Sequence, residues 1–211
     1  IDHYRPWPDH WPVLRPFVRR TARHARCLGL VLHSEYAADS YRRAGVAEAK
    51  ILVAHNGAGP SRMTPALDKP AARAALGLPA DRPIAVYAGR INAKKGLDRL
   101  LELADRRPDT LLLLVGSESD GPMEAAARSR GNVRVFPWQT PRALAPFLFA
   151  ADVLVVPPSS APLERHGNCV LPLKLFAYLA AGRPILAPAL PVRAALRRKS
   201  DETPQEPPQA P

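Results

Sequence analysis

The sequence predicts an α/β chain organised on a doubly wound parallel sheet, and three observations carry that prediction. Between residues 84 and 187, strand-length apolar runs alternate five times with helix-length amphipathic segments. The connections are short, as successive βαβ units require. The run 110–116, Thr-Leu-Leu-Leu-Leu-Val-Gly, is apolar without alternation, the pattern of a strand covered on both faces.

Residues 1–12 hold three prolines and no periodicity, so they read as irregular. A helix is expected over 14–28, with Pro16 in its first turn. Arg15, Arg19, Arg23 and Arg26 fall on one face, and Leu14, Val18, Ala22 and Ala25 on another. Strands follow at 29–34 and 51–56, separated by a helix over 36–44 that Gly45 ends. Asn56-Gly57 is a turn dipeptide. Residues 57–68 read as an interdomain linker, so 1–56 form the remnant of one domain and 69–192 a second. A helix is expected over 70–76.

The second domain opens with a strand over 84–88, a turn at Gly89, and a helix starting near Lys95 and carrying Leu97, Leu100, Leu101 and Ala104 at helical spacing. Helices at 122–130, 141–150 and 172–181 then alternate with strands at 133–136, 152–157 and 184–187. From Arg193 the periodicity fades, and 193–211 read as a disordered tail.

The chain has 211 residues, 46% of them hydrophobic, enough to bury an ordinary core. Its two cysteines, Cys27 and Cys169, lie far apart in sequence, which suits a reducing compartment and argues against a disulfide scaffold. A formal charge of +11 favours anionic partners: nucleotides, nucleic acid or an acidic membrane surface. No apolar stretch approaches the roughly 20 residues of a membrane span. The six histidines lack metal spacing, and no Gly-x-Gly-x-x-Gly, P-loop or Gly-x-Ser-x-Gly motif is present. No nucleic-acid motif is present either.

Candidate binding residues gather at the carboxyl ends of the strands, where open α/β sheets hold their ligands. Arg90 and Lys95 follow the first strand beside Gly89 and offer fixed positive charge to a diphosphate. Gly116 supplies a second turn that lets a ligand approach backbone closely. Trp138 follows the third strand and can flank a nucleobase. The polar segment 157–173 carries Glu164, His166, Gly167 and Asn168, and long loops on rigid sheets often carry function. Lys174 stands near a helix start, against the macrodipole, where a bound anion would offset its charge.

These residues resemble a known family. Tyr87-Ala-Gly-Arg90, Lys95-Gly96-Leu-Asp, Leu114-Val-Gly116, Ala151-Asp152-Val-Leu-Val-Val-Pro157 and Pro172-Leu-Lys174-Leu-Phe-Ala-Tyr-Leu-Ala-Ala-Gly-Arg-Pro184 are similar, in order, to motifs of the family-4 (group 1) glycosyltransferases. Ser34 and Ile51-Leu-Val-Ala-His-Asn56-Gly57 resemble that family's approach to its linker. The resemblance spans residues 29–188 and implies the GT-B fold of two Rossmann-like domains. It implies sugar transfer from a UDP- or GDP-sugar, with retention of configuration and no metal or other cofactor. It also implies that Arg90 and Lys95 stabilise the departing diphosphate. Gly89, Gly116, Trp138, Asn168, Cys169, Leu173, Lys174 and Ala177 are then expected around the donor. An unidentified acceptor, a cell-envelope setting and a cytoplasmic location at the membrane's inner face follow from the same resemblance. Three departures stand out: Cys169 and Ala177 occupy positions where the family commonly has Glu, most of the acceptor domain lies outside this chain, and the tail replaces further helices. The competing expectation is a non-catalytic module whose basic helix docks on acidic lipid.

Overall fold

A computed structural model describes residues 2–3, 6–92, 95–157 and 172–188. Two parallel sheets organise these residues. The first contains β1 (Asp2–His3), β2 (Leu30–Leu32) and β3 (Ile51–Val53), in that order. The second contains β4 (Ile84–Ala88), β5 (Leu111–Ser117), β6 (Val133–Pro137), β7 (Val153–Val155) and β8 (Ile185–Leu186), in the order β6-β5-β4-β7-β8. Every pairing in it is parallel, as the doubly wound reading expects.

The first sheet is served by α1 (Trp7–His10), α2 (Arg15–Arg23) and α3 (Glu35–Arg43). The helix α1 corrects the expectation of irregular structure over residues 1–12. Pro8 is tolerated because it occupies the first turn. The Asp9 amide, which donates to the Pro6 carbonyl at 3.1 Å, also bonds Ser40 Oγ on α3 at 3.1 Å. Tertiary contact thus stabilises a turn too short to stand alone. The second helix ends at Arg23 rather than near residue 28. His24 is extended, and its ring accepts the Arg26 amide at 3.2 Å, a local bond that competes with helix continuation. Ser34 caps α3 by accepting the Ala37 amide at 3.1 Å.

In the second sheet, alternate residues of β4 divide between two cores. Ile84, Val86 and Ala88 pack with α4 (Lys69–Ala75), α7 (Pro141–Ala150) and α8 (Leu173–Ala180). Ala85 and Tyr87 pack with α5 (Leu97–Arg106) and α6 (Pro122–Arg128). Leu113 and Leu114 on β5 are fully buried on opposite faces, and each such side chain contributes about 1.5–3 kcal/mol. Caps fix two of these helices: Asp68 accepts the Ala71 amide at 2.8 Å, and Thr140 the Ala143 amide at 3.3 Å. Between residues 57 and 68 the chain makes a single 3₁₀ turn, Pro60–Met63, packed on α7.

One polar knot fixes the start of β4 to β7. Asp152 accepts from Lys69 Nζ at 2.8 Å, Arg73 Nη2 at 2.6 Å and the Ile84 amide at 2.8 Å. Arg73 is buried and also donates to the Ala150 and Ala80 carbonyls. Burial alone would raise the Asp152 carboxyl; its hydrogen bonds and cationic neighbours outweigh that and hold it below the ordinary value.

Topology then creates the crevice. From β4 the chain steps outward through β5 to β6; it returns by α7 to β7, on the other side of β4, and continues to β8. The helices that follow β4 and β7 therefore cover opposite faces of the sheet, the arrangement in which open α/β sheets hold a crevice at the carboxyl ends of their strands.

Candidate functional site

The site is built outward from the end of β4. Tyr87 is fully buried, and its hydroxyl donates to the Arg90 carbonyl at 2.9 Å, closing the turn that leaves the strand. Gly89 follows with φ +141°, a region disfavoured for side-chain-bearing residues. Its missing side chain also leaves room for an ammonium: a Cβ there would lie 2.8 Å from Lys174 Nζ.

Gly116 repeats the device one strand away. Its φ is +129°, and a Cβ would stand 2.4 Å from the Gly89 carbonyl oxygen. The β5–β6 register slips at this residue, with Val115 opposite Phe136 and Ser117 opposite Pro137, so Gly116 forms a bulge. The Gly89 amide bonds the Val115 carbonyl at 2.9 Å, so the ends of β4 and β5 lie backbone against backbone.

Lys174 enters from the first turn of α8, and its Nζ lies 3.7 Å from the centre of the Tyr87 ring. Burial, with Lys95 nearby adding repulsion, lowers its pKa to about 7. One turn further along α8, Tyr178 is fully buried. Its hydroxyl accepts the Ala88 amide at 2.8 Å and reaches the Val155 carbonyl at 3.4 Å, so it bridges β4 and β7 beneath the crevice. Burial pushes both the Tyr87 and Tyr178 phenols well above the ordinary value, so both stay un-ionised near neutrality.

The two cations expected after β4 are exposed. Arg90 is 71% exposed, with Nε 3.4 Å from Glu118 Oε1, a surface pair weak enough to yield to a ligand. The Lys95 amide bonds the Asn92 carbonyl at 3.1 Å, and Gly96, at φ +67°, turns the chain into α5. The expected helix start near Lys95 thus moves to Leu97, because Gly96 takes the left-handed turn first. Asn92 Oδ1 is buried without a hydrogen-bond partner among the described residues.

The structure therefore brings together Gly89, Gly116 and Lys174, with Arg90 and Lys95 on the loop above them. Trp138 stands at the end of β6, largely exposed, with its amide bonded to the Ser117 carbonyl at 2.8 Å. Leu173 is exposed at the start of α8, whereas half-buried Ala177 packs against the core beside Tyr178. Asn168 and Cys169, with Glu164, His166 and Gly167, lie outside the described residues. Sequence reasoning missed Tyr87, Tyr178 and Asn92. A tyrosine inside an otherwise aliphatic strand was the available signal, because its hydroxyl must find a partner when buried.

A second surface has a different character. Trp11, Val13, Phe17 and Leu28 are exposed, and an open concavity of about 800 Å³ is lined in part by Phe17, Arg20, His24 and Arg26. Of the arginines expected along α2, Arg15 instead turns to Asp9 at 3.3 Å and to the Pro8 carbonyl. Among the described residues, no helix is long and apolar enough to cross a membrane.

Comparison with known proteins places these features in context. Residues 68–193 match the model of the family described as Glycosyl transferases group 1. The D-inositol 3-phosphate glycosyltransferase of Mycobacteroides abscessus is 33% identical over 162 residues, covering 71% of this chain and 34% of that protein. Its counterpart from Streptomyces avermitilis is 34% identical over 171 residues, covering 73% of this chain and 35% of the relative. The chain thus spans about a third of the length of these relatives. Among solved structures, sucrose-phosphate synthase from Thermosynechococcus elongatus superposes with a TM-score of 0.58 at 26% identity, over 85% of this chain and 43% of that one. Anabaena HepE in complex with UDP gives 0.67 at 20% identity, over 92% and 54%, a likeness of fold.

Proposed function

The chain belongs to the group 1 glycosyl transferases, and on that premise we propose that it forms the donor-binding half of a retaining, metal-independent enzyme. The donor is a nucleotide-diphosphate sugar, and the acceptor belongs to cell-envelope glycan or glycolipid. One observation carries the reading. Two side-chain-free turns, at Gly89 and Gly116, meet at the carboxyl ends of β4 and β5, beside Lys174 and below Arg90 and Lys95.

The chemistry follows from charge. As the bond between sugar and diphosphate breaks, negative charge grows on the departing diphosphate, and preorganised cations lower the barrier by stabilising it. We assign that role to Arg90 and Lys95. Their side chains are exposed and can close over a ligand, whereas Lys174 is held in the wall. A bound diphosphate would draw the Lys174 amine, lowered to about 7 by burial, back to its charged form. UDP is the first nucleotide to test, because Anabaena HepE was solved with UDP and with UDP-glucose; GDP is the alternative. Ala177 offers no carboxylate to a ribose, so the phosphate half of the donor supplies most of the affinity.

Titration calorimetry with UDP and GDP tests this reading. Arg90→Ala and Lys95→Ala should each weaken binding by about 1.5–3 kcal/mol, the scale of a charge-assisted hydrogen bond. An unaltered chain that binds neither nucleotide refutes it.

A second reading rests on the other surface. Trp11, Val13, Phe17 and Leu28 are exposed around Arg20, Arg23 and Arg26, the composition of a face that sits on an anionic bilayer. It would hold the protein peripherally at the inner face of a membrane. Salt-sensitive co-sedimentation with phosphatidylglycerol vesicles, lost in Phe17→Asp, supports it; equal recovery with neutral vesicles counts against it.

A further inference from the structure

Tyr87 has a single buried side chain that touches two parts of the crevice. Its ring lies beneath the Lys174 ammonium at 3.7 Å, and its hydroxyl donates to the Arg90 carbonyl at 2.9 Å. Lys174 belongs to α8 and Arg90 to the turn after β4, so an ammonium from one element and the backbone of a cation-bearing turn from another are held against one side chain. The ring cannot easily shift. It is fully buried and packs in the core formed with α5 and α6. On the crevice side the ammonium lies 2.8 Å from where a Cβ of Gly89 would stand.

We propose that Tyr87 is a positioning residue for the diphosphate of the donor, seating Lys174 through its ring and setting the course of the Arg90 turn through its hydroxyl. The proposal rests on the donor-binding reading above. The ring face is the electron-rich side of an aromatic, so it holds a cation where water is scarce. The hydroxyl uses a backbone carbonyl as acceptor, which leaves the Arg90 guanidinium free for a ligand. Burial and the repulsion of Lys95 act on the Lys174 amine, and the ring beneath it belongs to Tyr87, whose phenol stays un-ionised.

Two variants separate the roles. Tyr87→Phe keeps the ring and removes the hydroxyl; Tyr87→Leu removes both. The probe is UDP-glucose, whose diphosphate has no second ionisation near neutrality, titrated calorimetrically between pH 6 and 9. Since the free Lys174 amine titrates near 7, the affinity of the unaltered protein should be flat below that pH and fall above it. Tyr87→Phe should bind about three- to tenfold more weakly with the same pH midpoint, the effect of one lost hydrogen bond. Tyr87→Leu should bind at least about tenfold more weakly, with the midpoint moved from that of the unaltered protein because the ring no longer faces the ammonium. In a Lys174→Met background, Tyr87→Leu should cost markedly less, since it acts through the lysine. Additive losses with an unmoved midpoint overturn the proposal.

Side-chain NMR of Lys174 in the ligand-free protein gives a readout independent of binding. An amine titration that Tyr87→Leu moves and Tyr87→Phe does not supports the seat, even if UDP-glucose fails to bind and the donor reading falls. A titration identical in all three proteins overturns it.

Discussion

Gly116→Ala is the perturbation most tightly specified by the coordinates. The added Cβ would stand 2.4 Å from the Gly89 carbonyl oxygen and 2.8 Å from its carbonyl carbon. Ordinary contact begins at 3.4 Å, so the oxygen would have to retreat by about 1 Å. Retreat is opposed, because the Gly89 amide is bonded to the Val115 carbonyl and Lys174 Nζ occupies the far side. The φ of +129° adds a conformational penalty of about 1–3 kcal/mol for any residue with a Cβ. Overpacking adds a further cost of about 1–3 kcal/mol, so the total loss of stability should be about 2–4 kcal/mol once partial relaxation is allowed for. Urea unfolding measures it, and calorimetry with UDP should show at least about a tenfold loss of affinity, since an ångström of misplacement costs a preorganised site heavily. Gly131→Ala is the control, because nothing lies within 4 Å of its added Cβ. If the two variants match in stability and in UDP affinity, the close approach of β4 and β5 is not what shapes the site.

Two further predictions concern charge. The Lys174 amine is lowered to about 7 when folded, against 10.5 ordinarily, so between these values the unfolded chain binds more protons and stability rises with pH. Lys174→Met should abolish that slope and stabilise the ligand-free protein at pH 6 by about 1–2 kcal/mol, as when a desolvated charge gives way to an apolar side chain; equal slopes in urea unfolding at pH 6 and 9 would contradict it. At the opposite end of β4, the Asp152 carboxyl is held below its ordinary value of 3.8, because its bonds to Lys69 and Ile84 and the Arg73 charge outweigh the burial that would raise it. Its contribution is therefore present above about pH 4 and lost as pH falls through the lowered value. Asp152→Asn should cost about 2–3 kcal/mol at pH 7, because Arg73 is left buried without its counter-ion. A ΔΔG that is the same at pH 7 and pH 2 would refute the assignment.

The path from sequence to fold was short where a local pattern sufficed. The apolar run ending at Gly116 became β5, whereas the caps at Ser34, Asp68 and Thr140 were not anticipated, although their residue types suit the place. Gly89 and Gly116 were legible as turns but not as neighbours, since their contact depends on β4 and β5 pairing in register. The helix at Trp7–His10 was hidden because its support comes from Ser40, thirty-one residues away. The arginine face drawn on α2 was only partly right: Arg15 is taken by Asp9, and Arg26 lies past the helix end. Lys174 was legible as a cation without a helix-dipole rationale. Its reason, the Tyr87 ring and the space over Gly89, joins residues that the sequence keeps almost ninety positions apart. Ala177 stands where the family resemblance implies a Glu, and in the structure it packs against the core beside Tyr178.

Calorimetric titration of UDP into the unaltered chain, repeated with Lys174→Met, tests the central claim most directly. The account predicts saturable binding that weakens about tenfold or more in the variant and, in the unaltered chain alone, weakens as pH rises above about 7. No binding at any pH, or equal binding by both proteins, would contradict it.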